Sequence, residues 1–317
     1  MPQLPKFVQI NEEGPREGFQ IEKGPISTSR KIELVDALSK AGLSQIQVCS
    51  FVDPRRVPGM ADAEEIARGF HRVPGIRYTA LWLNDRGFER AVAVGKLDLV
   101  GNIALTASEK FLKRNQNRTF DENLVAQRVL IEKYKKANLS VERAGIMAAF
   151  GCNYQGEVPK DIVLNLVQQI SDLDDEYELG IKVLSLADTM AWATPQSIKS
   201  LVVSVRERFP RFRINLHLHD TRGLGIANAY AGLEVGVDSF DAAVAGLGGC
   251  PFAANQGAAG NVCTEDLAFL CAEMGIETGI DLEQLIEAAK LAEEIVGHSL
   301  PGNVKQAGLL ARAGKMQ

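Results

Sequence analysis

Eight short β-branched runs, at residues 6–13, 45–51, 76–83, 97–105, 140–150, 181–187, 213–219 and 238–245, alternate with stretches of helical period. No other property of the chain narrows the fold so far, because strands separated by helices pair in parallel through crossovers. Residues 31–41 place Leu34, Val35, Leu38 and Ala41 on one stripe, the pattern of a helix laid on a sheet. Residues 121–137, 161–179, 195–209 and 225–235 read the same way. Thr194-Pro195 is a start signal, a capping hydroxyl before a first-turn proline. Gly42, Gly95, Gly180 and Gly236 each follow a helical run, where a left-handed closing residue is wanted. The expected fold is α/β, a TIM (β/α)8 barrel with a helical C-terminal appendage. An open doubly wound sheet is the alternative, but no G-x-G-x-x-G follows the first run. No linker divides the chain, so residues 1–317 read as one domain, with the barrel over about 1–263 and C-terminal helices over about 264–317.

The composition excludes several classes. With 46% hydrophobic residues the chain can bury a large core, and a net charge of −5 argues against a nucleic-acid partner. Aromatics make up 6%, too few for a base-stacking platform. No apolar stretch is long enough to span a membrane, and the start MPQLPKFVQINEEG lacks the basic and apolar regions of a secretory signal. Five scattered cysteines fit a reducing compartment, so a cytoplasmic location is expected.

Barrel active sites gather where strands end. The sharpest item there is His217-x-His219, since alternate strand residues face one side and two of only four histidines sit here. Two hydrogen-bonded core histidines are the plain alternative, but a strand end just before Asp220 and Thr221 favours a metal. Arg16 and Glu17 follow the first strand; a carboxylate could bind the metal and a guanidinium could hold an oxyanion, or the two could be a surface ion pair. Asp188 ends strand six as a base or as a helix cap made through Asp188 or Thr189. Cys250 lies in a glycine-rich loop from which a thiol could reach the mouth, and Asn261 offers an amide nearby or a plain turn. Cys49, Cys152, Cys263 and Cys271 read as buried hydrophobes.

The segments GPREGFQIEK, SFVDPRRVPGM, GCNYQGEV, LADT, HLHDTRGLGIAN, VAGLGGCPF and GAAGNVCTEDL together resemble the 3-hydroxy-3-methylglutaryl-CoA lyase family of metal-dependent barrels. The C-terminal LPGNVKQAG fits less distinctively. The resemblance implies a divalent ion, Mg²⁺ or Mn²⁺, held by Glu17, His217, His219 and Asn261. It implies Arg16, Cys250, His219 and Asp188 as catalytic groups, with Gln20, Gln47, Ser50, Tyr154 and Thr189 near the substrate. The implied reaction is retro-Claisen cleavage of a 3-hydroxyacyl-CoA, and the implied assembly is a homodimer. CoA is polyanionic, so Arg55, Arg56, Arg222 and Lys23 are candidates for a basic mouth despite the acidic total.

Three departures from the family pattern surround one cavity. The family carries Asp where this chain has Glu17, and Glu where it has Gln47. Its loop between the cysteine and the asparagine is about two residues shorter than 250–261. These departures lead us to expect the same chemistry on a different acyl group, with citramalyl-CoA and branched or longer analogues as candidates. Claisen condensation, as in isopropylmalate or homocitrate synthases, is a second class, though those enzymes usually carry a long C-terminal extension. A catalytically dead binding barrel is a third.

Overall fold

All eight runs form strands in the computed structural model, which describes residues 4–22, 24–248 and 260–311. They are β1 (Gln9–Glu12), β2 (Gln45–Ser50), β3 (Arg77–Leu81), β4 (Gly101–Thr106), β5 (Val141–Met147), β6 (Val183–Asp188), β7 (Arg213–Leu218) and β8 (Ser239–Ala242). Every pairing is parallel, in the order β3-β2-β1-β8-β7-β6-β5-β4. Pairing of β1 with β8 curls the sheet into a TIM barrel. Among the described residues no ladder joins β3 to β4. That seam is tied near the strand starts, where the Asp98 N–H donates to the Tyr78 carbonyl and the Asp98 carboxylate accepts the Tyr78 N–H, both at 2.8 Å.

The helices are α1 (Gly14–Glu17), α2 (Thr28–Leu38), α3 (Ala63–Gly69), α4 (Asp85–Val94), α5 (Glu109–Gln116), α6 (Phe120–Lys136), α7 (Lys160–Tyr177), α8 (Pro195–Arg208), α9 (Gly225–Glu234), α10 (Thr264–Glu273), α11 (Leu282–Val296) and α12 (Val304–Ala307). The five expected stretches are α2, α6, α7, α8 and α9, with ends shifted by up to three residues. Thr194 caps α8 in a reciprocal capping box with Ser197. Gly42, Gly95, Gly180 and Gly236 all have positive φ, as their positions after helical runs predict.

After β8, α10 lies against α9 and β1 in the outer ring, and α11 lies along α2. The Asp281 N–H, at the start of α11, donates to the Ala41 carbonyl at 2.9 Å. One continuous apolar core joins strands to helices, with residues such as Leu34, Ile103, Val167 and Leu216 fully buried. No helix among the described residues is long and apolar enough to cross a membrane.

Candidate active site

The chain turns sharply after β1, and a buried carboxylate fixes the turn. Glu12 accepts the backbone N–H of Gly14 at 2.7 Å, that of Val244 at 2.9 Å and the Thr264 hydroxyl at 2.6 Å. A side chain at Gly14 would meet the Glu12 carboxylate at 2.6 Å, so glycine is needed there. The turn leads into α1 and carries Arg16 and Glu17 to the barrel mouth. Both are buried, at 8% and 6% exposure, which rejects the surface ion pair.

On β7 and just beyond it, His217 and His219 point to the same side. Glu17, His217 and His219 bring one ligating atom each to within 4.8 Å of one another. The two imidazole Nε2 atoms stand 3.2 Å apart, with the Glu17 carboxylate 3.7 Å from His217 and 3.8 Å from His219. Asn261 pairs with His219 as an isolated bridge, and its Nδ2 donates to the Glu17 Oε2 at 2.5 Å. Its Oδ1 is fully buried and has no hydrogen-bond partner among the described residues. An orphaned buried carbonyl oxygen beside one carboxylate and two imidazoles is a donor set that fits a divalent cation. The four expected metal residues therefore converge.

Beneath His217 stands Asp241, which the sequence reading missed. Its carboxylate lies 3.3 Å from His217 Nδ1, accepts Asn11 Nδ2 at 3.0 Å and pairs with Arg143. Fixing the proton on Nδ1 leaves Nε2 free to ligate. Burial lowers the pKa of His217, but Glu17, the Asp241 hydrogen bond and charge, and Glu13 lift it to about 9. Burial takes His219 the other way, to about 4. Glu17 is pushed up by burial, yet Arg16 and the two histidines bring it down to about 2.

Arg16 is held on three sides. Its Nε donates to Gln47 Oε1, its Nη2 pairs with Glu13, and its Nη1 lies 3.5 Å from Glu17. Glu13 is a second residue that sequence reading overlooked. Gln20, Gln47 and Thr189 line the cavity with Arg16, Glu17 and the histidines. Thr189 Oγ1 accepts the Ala148 N–H at 2.9 Å, and the Ser50 hydroxyl, behind the wall, donates to Gln20 at 3.3 Å.

Two expectations change. Asp188 does not line the cavity: its oxygens accept the N–H groups of Trp192 at 2.7 Å and Ala193 at 3.0 Å. Those amides belong to the turn after the strand, and the helix that follows is capped by Thr194, so Asp188 anchors a turn and is not the helix cap. Tyr154 is likewise outside the cavity lining. It packs on a separate cluster of Phe111, Ala148, Cys152 and Met190, with the Arg114 guanidinium 4.5 Å from its ring. Of the basic candidates, Arg55 pairs with Asp53, Arg222 donates to the carbonyls of Met190 and Ala191, and Arg56 is exposed. Cys250 and Lys23 lie outside the described residues.

Fold and site together define a TIM barrel with a cluster of carboxylate, imidazole and amide donors at the ends of its strands that could hold a divalent cation. The HMGL-like family model matches residues 7–292. Human mitochondrial hydroxymethylglutaryl-CoA lyase is 40% identical over 304 residues, covering 96% of this chain and 90% of its own length. The Bacillus subtilis enzyme of the same name is 39% identical over 297 residues, covering 94% and 96%. A solved HMG-CoA lyase from Acinetobacter baumannii, in complex with coenzyme A and 3-methylmalate, superimposes with a TM-score of 0.86 at 35% identity, covering 100% and 99%. The chain belongs to the HMGL-like family.

Proposed function

We propose that the chain cleaves a 3-hydroxy-3-methylglutaryl-CoA-type thioester to acetyl-CoA and a keto acid, acetoacetate when the C3 substituent is methyl. The observation that carries this reading is the convergence of Glu17, His217, His219 and the orphaned Asn261 oxygen beside Arg16. Mg²⁺ or Mn²⁺ held there would act as a Lewis acid toward the hydroxyl and carboxylate oxygens of the acyl group. Arg16 is placed to stabilise charge on the thioester oxygen as the C2–C3 bond breaks. The hydroxyl proton leaves to a base, the bonding pair passes to the thioester enolate, and Cys250 returns a proton to C2. With Asp188 occupied by the turn, we assign the base to His219, unprotonated at neutral pH, which takes the proton only while its Nε2 is off the cation and Glu17, His217 and Asn261 hold it. A homodimer accords with the family resemblance. The test is an assay of purified chain with Mg²⁺ or Mn²⁺ and 3-hydroxy-3-methylglutaryl-CoA, following acetyl-CoA and acetoacetate by mass spectrometry. Absence of cleavage at any metal concentration, with no cation bound, would return the chain to the dead-barrel class.

A further inference from the structure

TIM barrels are ordinarily filled by layers of bulky branched side chains. This barrel is hollow, with a cavity of about 360 Å³ extending from the metal residues along the barrel interior. The reason lies in three neighbouring strands, where Ala104, Gly145 and Ser185 stand side by side in register. Crowding does not impose the glycine: a Cβ there would meet nothing closer than Ser185 Cβ at 3.7 Å.

Around the hollow, hydrogen-bonding capacity is left over. Arg143 lines it and uses only Nη2, toward Ser185 and Asp241, so Nε and Nη1 have no acceptor among the described residues. Gln47 gives its oxygen to Arg16 and leaves its NH₂ unpartnered among those residues. The Thr79 hydroxyl, beside Gln47 on the neighbouring strand, is buried without a partner among the described residues. Donors turned into one cavity without acceptors, half-buried on Arg143 and Gln47 and fully buried on Thr79, favour a ligand that brings acceptor oxygens. A methyl group brings none. The nearby Asp241 and Glu13 carboxylates are each already paired with a guanidinium, Arg143 and Arg16, so they do not close the space to an anion.

Resting on the lyase reading above, we propose that this hollow seats a carboxylate-bearing arm on C3 of the acyl group, in place of methyl, with Arg143 as the residue that reads it. The same C2–C3 bond breaks. A carboxymethyl arm would give 3-oxoglutarate and acetyl-CoA, with no co-reactant needed.

Three thioesters test this: 3-hydroxyglutaryl-CoA carrying methyl, carboxymethyl or the isosteric isobutyl group at C3. Binding is measured calorimetrically on the metal-free chain and kcat/KM on the Mg²⁺ enzyme. The carboxymethyl substrate should exceed both others on the order of tenfold or more, the scale of one hydrogen bond to a charged group. Arg143→Gln should erase its advantage over isobutyl. Gly145→Leu, which fills the hollow without touching Arg143's charge, should cut both larger substrates by at least about tenfold relative to methyl. A methyl or isobutyl substrate bound and cleaved as well as the carboxymethyl one overturns the proposal while leaving the lyase reading intact. Tight carboxymethyl binding that depends on Arg143, but without cleavage of any of the three, supports this site and refutes the lyase reading instead.

Discussion

Cation affinity at Glu17, His217, His219 and Asn261 should tighten about 50-fold between pH 7 and pH 9. The cause is competition for one lone pair. Ligation needs His217 unprotonated at Nε2, whereas in the metal-free chain Glu17, Asp241 and Glu13 outweigh burial and hold its pKa at about 9. At pH 7 about one chain in 100 then offers the lone pair, and at pH 9 about half do. The other ligands stay constant across this window, since Glu17 titrates near 2 and His219 near 4. Stability of the metal-free chain moves the opposite way. A raised folded-state pKa contributes stabilisation that is complete below the unfolded value near 6.5 and is lost as pH rises through about 9. Isothermal titration with Mg²⁺ at pH 7, 8 and 9, in two buffers of different ionisation enthalpy, reads both affinity and protons released. Close to one proton should leave per cation at pH 7 and about half a proton at pH 9. Asp241→Asn should flatten this dependence and weaken intrinsic affinity by about 10–100-fold, because the group orienting the imidazole has changed. Equal affinity at the three pH values with no proton release would refute the assignment of His217 as a ligand protonated in the free chain.

The Nε2 lone pair of His219 cannot ligate the cation and take the hydroxyl proton at once, and His219→Gln separates the two roles. Metal content kept with turnover lost makes it the base, whereas metal lost makes it chiefly a ligand. Asp188→Asn should cost about 1–3 kcal/mol of stability in chemical denaturation, because an amide can accept only one of the two turn N–H groups. Its cation affinity should be unchanged; lost turnover at unchanged stability would put Asp188 back into the chemistry. Gln47→Glu should lower kcat about tenfold by setting a third carboxylate against Arg16, beside Glu13 and Glu17. Adding Glu13→Gln should recover activity, with a coupling of about 0.5–3 kcal/mol in the double-mutant cycle. Additive losses would show that the two positions do not share Arg16.

Strand periodicity made the barrel legible, because each run alternates apolar residues facing the helices with others facing inward. The helices missed were α1, α3, α4 and α5, the last two of which begin on readable caps. The Asn84 side chain accepts the Gly87 N–H and the Ser108 side chain accepts the Phe111 N–H. Their short length kept their period from standing out. Of the site, residues carried by motifs were legible, and Glu17, His217, His219 and Asn261 do meet. Asn11, Glu13, Arg143 and Asp241 were not, because each lies in a run chosen for its apolar members. Only register shows that Asn11 stands opposite Asp241, and Asp241 opposite His217, across strands far apart in sequence. A polar residue at every second position of an otherwise apolar strand was the available signal.

The same register changes the meaning of Gln47. In sequence, the glutamine where the family carries glutamate looks like a charge removed from the site. In space, Glu13 pairs with the Arg16 guanidinium whose Nε donates to Gln47. Arg16 thus has its carboxylate neighbours, Glu13 and Glu17, on the strand-one side, and a neutral amide at position 47. What the exchange does alter is the direction of hydrogen bonding. A carboxylate at position 47 could only accept, whereas the amide accepts from Arg16 with its oxygen and retains an NH₂ to donate. That surplus donor joins the edge of Arg143 and the Thr79 hydroxyl, both without an acceptor among the described residues, around a hollow kept open by Ala104, Gly145 and Ser185. Glu13 and Gln47 thus divide their roles around Arg16: the carboxylate meets its charge, while the amide leaves a donor on the wall of the hollow.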